Sequence, residues 1–381
     1  MFKDLITILQ GDRARRAPVS TLVEALRMRF GSQRLPFREY LAYRFHELDD
    51  LSAEERSRFL GSGRKFRLNY VCNDSQWFML GEKLPMTLFM MATNIPMPKV
   101  HAVYDTSGRS LPGAVTLHDK DDVITYLRTT QHYPLFVKPS HSAYGWGAAG
   151  LKAYNPESNN LQFLDNKERN LDEWVGQLNP GSAHGILFQE LLKPHPEIAR
   201  ICGPRASSIR VSTARLDGHV SIVSAVWRIP TGTNMIDNFQ HGASGNLLGG
   251  VDIATGRINR VVGLVNNKVE IVDKHPDTGE RFDNYTLPDW PRVNEMCSQA
   301  AHYLMGMNLH HWDIALTDHG PVIVENNEIA DIDLHQHGNR KGFWSDTVEK
   351  TRCQSYPRYW HTLSMFQKIS ATFMRKIDQL R

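Results

Sequence analysis

Long apolar runs are missing from this 381-residue chain. Its longest stretches, such as Ile222 to Val226 interrupted by Ser224, fall far short of the roughly 18 residues that a membrane span needs, so no transmembrane segment is expected. No export signal is expected either. The apolar stretch near the start, Leu5 to Leu9, meets Gln10, Gly11 and Asp12 too soon, and a cytoplasmic protein is the expectation. Cysteine is scarce: Cys72, Cys202, Cys297 and Cys353 lie far apart without a C-x-x-C pair, which argues against a disulfide framework or a thiolate zinc site. Charge of one sign is lacking as well. With 44 Lys or Arg against 41 Asp or Glu, the net charge of +3 implies no nucleic-acid partner. No internal repeat or low-complexity linker stands out, so compact domains are expected.

What charge asymmetry there is sits at the front. Residues 1–70 hold 14 Lys or Arg and 9 Asp or Glu, a local net of +5, which leaves −2 for the remainder. Leu22, Ala25, Leu26 and Arg29, then Phe37, Leu41, Phe45 and Leu48, recur at helical spacing, and Ser52 with Glu55 forms a capping box, so residues 1–80 read as a helical region. Its arginines, Arg13, Arg15, Arg16 and those from Arg27 to Arg44, belong either to a solvated face or to a surface for anionic lipid or another polyanion. From about residue 81 strands and helices alternate. Strands are expected at 99–103, 135–138, 186–192, 208–216, 220–229, 269–272, 312–317 and 322–325, and helices near 119–128, 169–178 and 291–306, with a closing helix over 359–379. The fold class is therefore mixed α+β, with units at 1–80, 81–185, 186–340 and 341–381.

Gly145-Trp146-Gly147-Ala148-Ala149-Gly150 is a literal G-x-G-x-x-G. A dinucleotide fold would open a helix at its third glycine, yet Asn155-Pro156 breaks the chain soon after; a protein kinase would carry H-R-D and D-F-G, which do not occur. What remains is a glycine-bearing hairpin, Ser140 to Gly150, whose amides can approach phosphates, fed by a strand carrying Lys138. The alternative is a plain surface turn. A second group is the hairpin Trp312 to Thr317 and Pro321 to Asn327. A three-residue turn, Asp318-His319-Gly320, sets Thr317 opposite Pro321, Ala315 opposite Ile323 and Asp313 opposite Glu325, with Ile314, Leu316, Val322 and Val324 on the apolar face. Asp313, Glu325 and Asn327 then gather three oxygen donors, and such close like charges call for a cation, Mg²⁺ on a phosphate being the natural candidate. The third group is the strand ending at Gln189-Glu190-Leu191-Leu192, whose backbone can pair with a purine while Glu197, past the Pro-His-Pro bend, reaches a ribose.

In order and spacing, Lys83, Phe136-Val137-Lys138-Pro139 with its glycine loop, Gln189-Glu190 with Glu197, and Asp313 with Glu325-x-Asn327 resemble the ATP-grasp superfamily. Leu35 to Tyr43, the string from Asn234 to Gly242, His275 to Gly279, Leu287 to Trp290 and Trp312 to Thr317 resemble its sugar-transfer-associated group, over roughly residues 35–335. The resemblance implies two α+β lobes gripping ATP, a carboxylate activated as an acyl phosphate, and an amine that attacks it to give an amide. By position, Lys83, Lys138, Gly145 and Gly147 would hold the phosphates, Gln189 to Leu192 the adenine, Glu197 the ribose, and Asp313, Glu325 and Asn327 the Mg²⁺. Asn238, His241 and Gly242 would face the acceptor.

The sequence departs from the pattern at one place. D-alanine:D-alanine ligases carry an arginine two positions before the metal aspartate, where His311 stands here, so Arg210 or Arg228 is expected to supply the positive charge, with His310 or His311 as a proton shuttle. Tyr144 and Trp146 either cover the nucleotide or pack. Asp331, Asp333, His335 and His337 read as a substrate-pocket loop rather than a second metal site. The expected activity is an ATP-dependent carboxylate-amine ligase with small-molecule substrates, an oligomer being open; the alternatives are a small-molecule kinase and a nucleotide-binding regulatory module.

Overall fold

Two seven-stranded sheets organise the chain in the computed structural model, which describes residues 2–10, 17–142, 145–234, 237–265, 268–327, 329, 331–365 and 368. Five helices come first: α1 (Phe2–Leu9), α2 (Pro18–Phe30), α3 (Phe37–Ala42), α4 (Ala53–Ser57) and α5 (Ser62–Cys72), followed by α6 (Lys83–Ala92). The Ser52–Glu55 capping box opens α4 as its sequence requires. The first sheet contains β1 (Val100–Tyr104), β2 (Val115–Leu117), β3 (Leu135–Pro139), β4 (Ala149–Asn155), β5 (Asn160–Phe163), β6 (Glu168–Asn170) and β7 (Ile186–Glu190), in the order β2-β1-β7-β3-β4-β5-β6. Helices α7 (Lys120–Thr129) and α8 (Leu171–Gln177) belong to this unit, and Val123, Leu127, Trp174 and Val175 join its core.

The second sheet follows α9 (Pro196–Cys202). It holds β8 (Ser208–Leu216), β9 (His219–Ile229), β10 (Leu247–Val251), β11 (Ile258–Val265) and β12 (Lys268–Ile271), then, after α10 (Trp290–His302), β13 (Leu309–Thr317) and β14 (Gly320–Asn326). Its order is β12-β11-β10-β9-β8-β13-β14. Period-two alternation divides its faces. Ile209, Val211, Trp312, Ile314 and Leu316 join Val293, Met296 and Ala300 of α10 in the largest core, whereas Arg210, Ser212, His311 and Asp313 share the opposite face. That polar face is buried too, because α11 (Ile332–Asn339) lies across it: Gly250 and Gly338 approach so closely that a Cβ on Gly250 would stand 2.4 Å from the Gly338 carbonyl oxygen. A final helix, α12 (Asp346–Thr362), packs on α5 and β8.

Three expectations change here. Strand β7 pairs with β1 and β3, so the first sheet runs to Glu190 rather than to residue 185. The helical front is continuous with the second lobe: Leu60, Leu68 and Cys72 pack with Ala214, Leu309, Ile332, Phe343 and Val348. The closing helix starts at Asp346, and most of the residues beyond 365 lie outside the described residues.

Candidate functional site

Six charged side chains from five strands and one helix meet between the sheets. Asp313, 1% exposed on β13, accepts two parallel bonds from Arg210 of β8, at 2.6 Å from Nε and 2.7 Å from Nη2, and a third from Arg228 Nη2 of β9 at 2.8 Å. Burial alone would raise the Asp313 carboxyl, but the Arg210 and Arg228 guanidiniums outweigh it and hold the group well below the usual carboxylate range. Glu325 stands opposite Asp313 across β13–β14, within hydrogen-bonding reach of it. Lys83, at the first turn of α6, approaches Glu325 Oε2 at 3.6 Å and donates to the Ser142 carbonyl at 3.3 Å. Lys138 of β3 is buried beside them, its ammonium pushed down to about 8 by burial first and then by Lys83, against the pull of Glu325 and Asp313. Asn327 follows on the Glu325 side, its amide bonded to the His311 carbonyl at 2.8 Å.

The strands reach this arrangement by a different register from the expected one. The turn is two residues long, Asp318-His319, with Thr317 opposite Gly320, Leu316 opposite Pro321, Ala315 opposite Val322 and Ile314 opposite Ile323. Gly320 at φ +110° makes the tight turn. A bulge between Asp313 and Ile314 then brings Asp313 back opposite Glu325. It follows that Ile323 lies in the core, while Val322 and Val324 are only half-buried.

The glycine hairpin joins β3 to β4, with Gly145 at φ +74° and Gly147 at φ +76°; a Cβ on Gly147 would meet Pro139 Cγ at 2.8 Å. Trp146 is 78% exposed and covers nothing, and Tyr144 lies outside the described residues. Gln189 is buried on β7, and Glu190 is fixed to Lys99 through both its amide and its carboxylate. Leu191 and Leu192 are half-buried in the connector, which the Pro194–Thr317 bridge and the bond from the His195 amide to the Leu316 carbonyl tie to β13. Glu197, in the first turn of α9, is exposed and pairs with Arg200 at 3.3 Å.

His311 is fully buried and engaged at both nitrogens, Nδ1 with Ser212 Oγ at 2.8 Å and Nε2 with Asn69 Oδ1 at 3.0 Å. Burial, then His335 and Arg210, keep it neutral, so it holds position rather than moving protons to a solvent-borne amine. His335 continues the chain to Ser212 and Ser224, and burial holds it at about 3. His310 turns to the other face, stacked on Trp312. Asp331 to His337 are not a loop: they form the start of α11, and Asp331 pairs with Lys65. Among the described residues no group of three or more His, Cys, Asp or Glu gathers as a metal site. Asn238 accepts from Arg228 Nη1 at 3.0 Å, which places it at the site edge. Gly242 packs backbone to backbone on β11 beside Leu264, and the side chain of His241 lies outside the described residues. Sequence reasoning missed Asp237, which pairs with Arg228 at 3.4 Å and accepts from the Ser208 amide and hydroxyl. Its signal was its place beside Asn238 in the same string.

The profile of the family described as sugar-transfer associated ATP-grasp matches residues 65–351. No curated protein sequence matches this chain. Among solved structures, a D-alanyl-alanine synthetase A from Vibrio cholerae is similar at 13% identity and a TM-score of 0.40, over 74% of this chain and 65% of that one. A biotin carboxylase from Campylobacter jejuni is similar at 9% identity and 0.43, over 76% and 48%, and a VanG D-Ala:D-Ser ligase from Enterococcus faecalis at 10% and 0.41, over 74% and 64%. The chain thus spans less than two thirds of the length of each.

Proposed function

Because this chain belongs to the sugar-transfer associated ATP-grasp family, we propose that it is an ATP-dependent ligase that joins a carboxylate to an amine through an acyl phosphate. The observation that carries this reading is the meeting of Lys83 and Lys138 with Glu325 and Asp313 between the two sheets. With Arg210 and Arg228, four cations face the three carboxylates of Asp313, Glu325 and Asp237, a surplus of one positive charge in a place shielded from water. Such a surplus suits a polyphosphate.

The donor set fits Mg²⁺. Two carboxylates facing each other across β13–β14 call for positive charge between them, and Asp313 Oδ1, which accepts only one guanidinium bond, keeps a lone pair for it. Asp313, Glu325 and Asn327 would hold the ion, which supplies charge neutralisation on the phosphates. Lys83 and Lys138 bind the phosphates, the glycine hairpin covers them, and the connector from Gln189 to Leu192 takes the base with Glu197 on the ribose. A carboxylate oxygen of the acid attacks the γ-phosphorus, its bond to the bridging oxygen breaks, and ADP leaves. The amine then attacks the acyl carbon, phosphate departs, and the amine loses a proton. Arg210 gives both its bonds to Asp313, whereas Arg228, held by Asp313, Asp237 and Ser208, also reaches Asn238 on the proposed acceptor side, and for that position it is the group proposed to steady the oxyanion.

The test is to follow the label of γ-labelled ATP in the presence of Mg²⁺ and a pool of small metabolites. Label released as inorganic phosphate only when an acid and an amine are both present is the expected result. Label kept on an organic product would make the protein a kinase, and no consumption with any pool would leave a nucleotide-binding module.

A further inference from the structure

Helix α2 faces the wrong way for a helix in water. It buries Thr21, Ala25 and Met28, and its outer face carries Val19, Val23, Leu26 and Phe30, at spacings of four, three and four residues, each between 37% and 71% exposed. A surface helix ordinarily turns that stripe inward. Helix α5 repeats the pattern with Phe66 and Tyr70, both more than 40% exposed. Where the end of α2 meets the start of α5 lies a groove of about 420 Å³ lined by Arg29, Arg34, Arg64 and Arg67, with Pro36, Ser62 and Gly63 and no carboxylate. Among the described residues Arg29, Arg34 and Arg67 have no ion pair, and Glu39, close by, is turned to accept from the Ser62 amide. The front of the chain also holds the whole basic excess of the sequence.

From this juxtaposition we propose that the α2–α5 face docks on an anionic lipid bilayer, the apolar stripe entering the headgroup zone while the arginines of the groove pair with lipid phosphates. Arg29, Arg34 and Arg67, which have no ion pair among the described residues, are complementary to phosphate, and the apolar stripe beside them gains nothing from a nucleic acid but is stabilised among acyl chains. No helix of the described residues is long and apolar enough to cross a membrane, so the association is peripheral. The face lies on the N-terminal helices, apart from the residues assigned to ATP.

Flotation of the full chain with vesicles tests this, using phosphatidylcholine alone and phosphatidylcholine mixed with phosphatidylglycerol. The expected result is co-flotation with the anionic vesicles only, reversed by high salt. Arg34→Glu with Arg67→Glu should lower the vesicle-bound to free ratio about tenfold or more. Val23→Ser with Leu26→Ser, which leaves the charge unchanged, should lower it by about tenfold as well. Circular dichroism and melting of each variant establish that it is folded. The proposal is overturned by no binding to anionic vesicles, by equal binding to neutral ones, or by binding that survives both folded double variants. It is equally overturned if nucleic acid is bound and vesicles are not, or if the variants abolish self-association of a chain that ignores vesicles.

Discussion

Lys138 carries the most direct link between burial and binding. Its ammonium is pushed down to about 8, by burial first and Lys83 second, so the free protein holds it charged below that pH and neutral above. A lysine whose pKa is lowered from 10.5 makes the fold less stable while it is charged; that penalty is complete below about pH 8 and fades as pH rises toward the unfolded value. Phosphates relieve it. MgATP affinity should therefore fall as pH rises through about 8, and the melting shift caused by MgATP should be larger near neutrality than in alkali; Lys138→Arg should flatten both profiles, and titrating binding against pH checks this. A second residue-scale expectation separates the two carboxylates. Asp313→Asn leaves the buried Arg210 without its counter-charge and Arg228 with Asp237 alone, and should cost about 3–5 kcal/mol of stability. Glu325→Gln, on a half-exposed side chain, should abolish turnover with a far smaller loss, as denaturation and assay together will show. The sequence was informative about Lys138, Asp313 and Glu325 because fixed spacing within strands displays them, whereas Lys83, at the start of α6, was named only through the family resemblance. It was silent on Asp237, which reaches Arg228 from an irregular segment, and on His335, which joins the His311–Ser212 pair only when α11 crosses the sheet.

Elements show where pattern reading stops. Strand β8 was legible to the residue because apolar and polar positions alternate between two different buried faces. Strands β4, β5 and β6 lie among Asn, Lys and Glu residues, and β10 reads Leu-Leu-Gly-Gly-Val; neither has the alternation that marks a strand, and both exist because neighbours pair with them. The β13–β14 turn was misjudged by one residue, and the bulge beside Asp313 compensated. Ser212 is the point where β8, β13 and α11 meet through side chains, and α5 joins through Asn69 on His311. Ser212→Ala should leave two buried imidazoles short of a partner and cost about 1–3 kcal/mol in urea unfolding. A loss within error would show that the chain only fills space.

At the scale of the whole molecule, the helical front is part of the second lobe. Residues 1–34 cover Leu35, Phe37, Tyr40, Tyr43, Phe45 and Phe59 through Ile8, Ala25 and Met28, and the segment after them enters the core with Leu309 and Phe343. Removing residues 1–34 should thus yield an insoluble product, where composition alone left open an accessory region; a soluble truncation that binds MgATP would count against this packing. Charge balance hid the basic front from any whole-chain average, and periodicity found its helices but not which face they bury.

The central claim is that ATP is used to activate a carboxylate. Supplying a metabolite pool whose carboxylates carry heavy oxygen, and weighing the phosphate released, tests it most directly. An acyl phosphate passes one carboxylate oxygen to the departing phosphate, so phosphate heavier by one labelled oxygen, and dependent on an amine, is the predicted result. Phosphate released without the label would mean that water attacks instead, and would contradict the account.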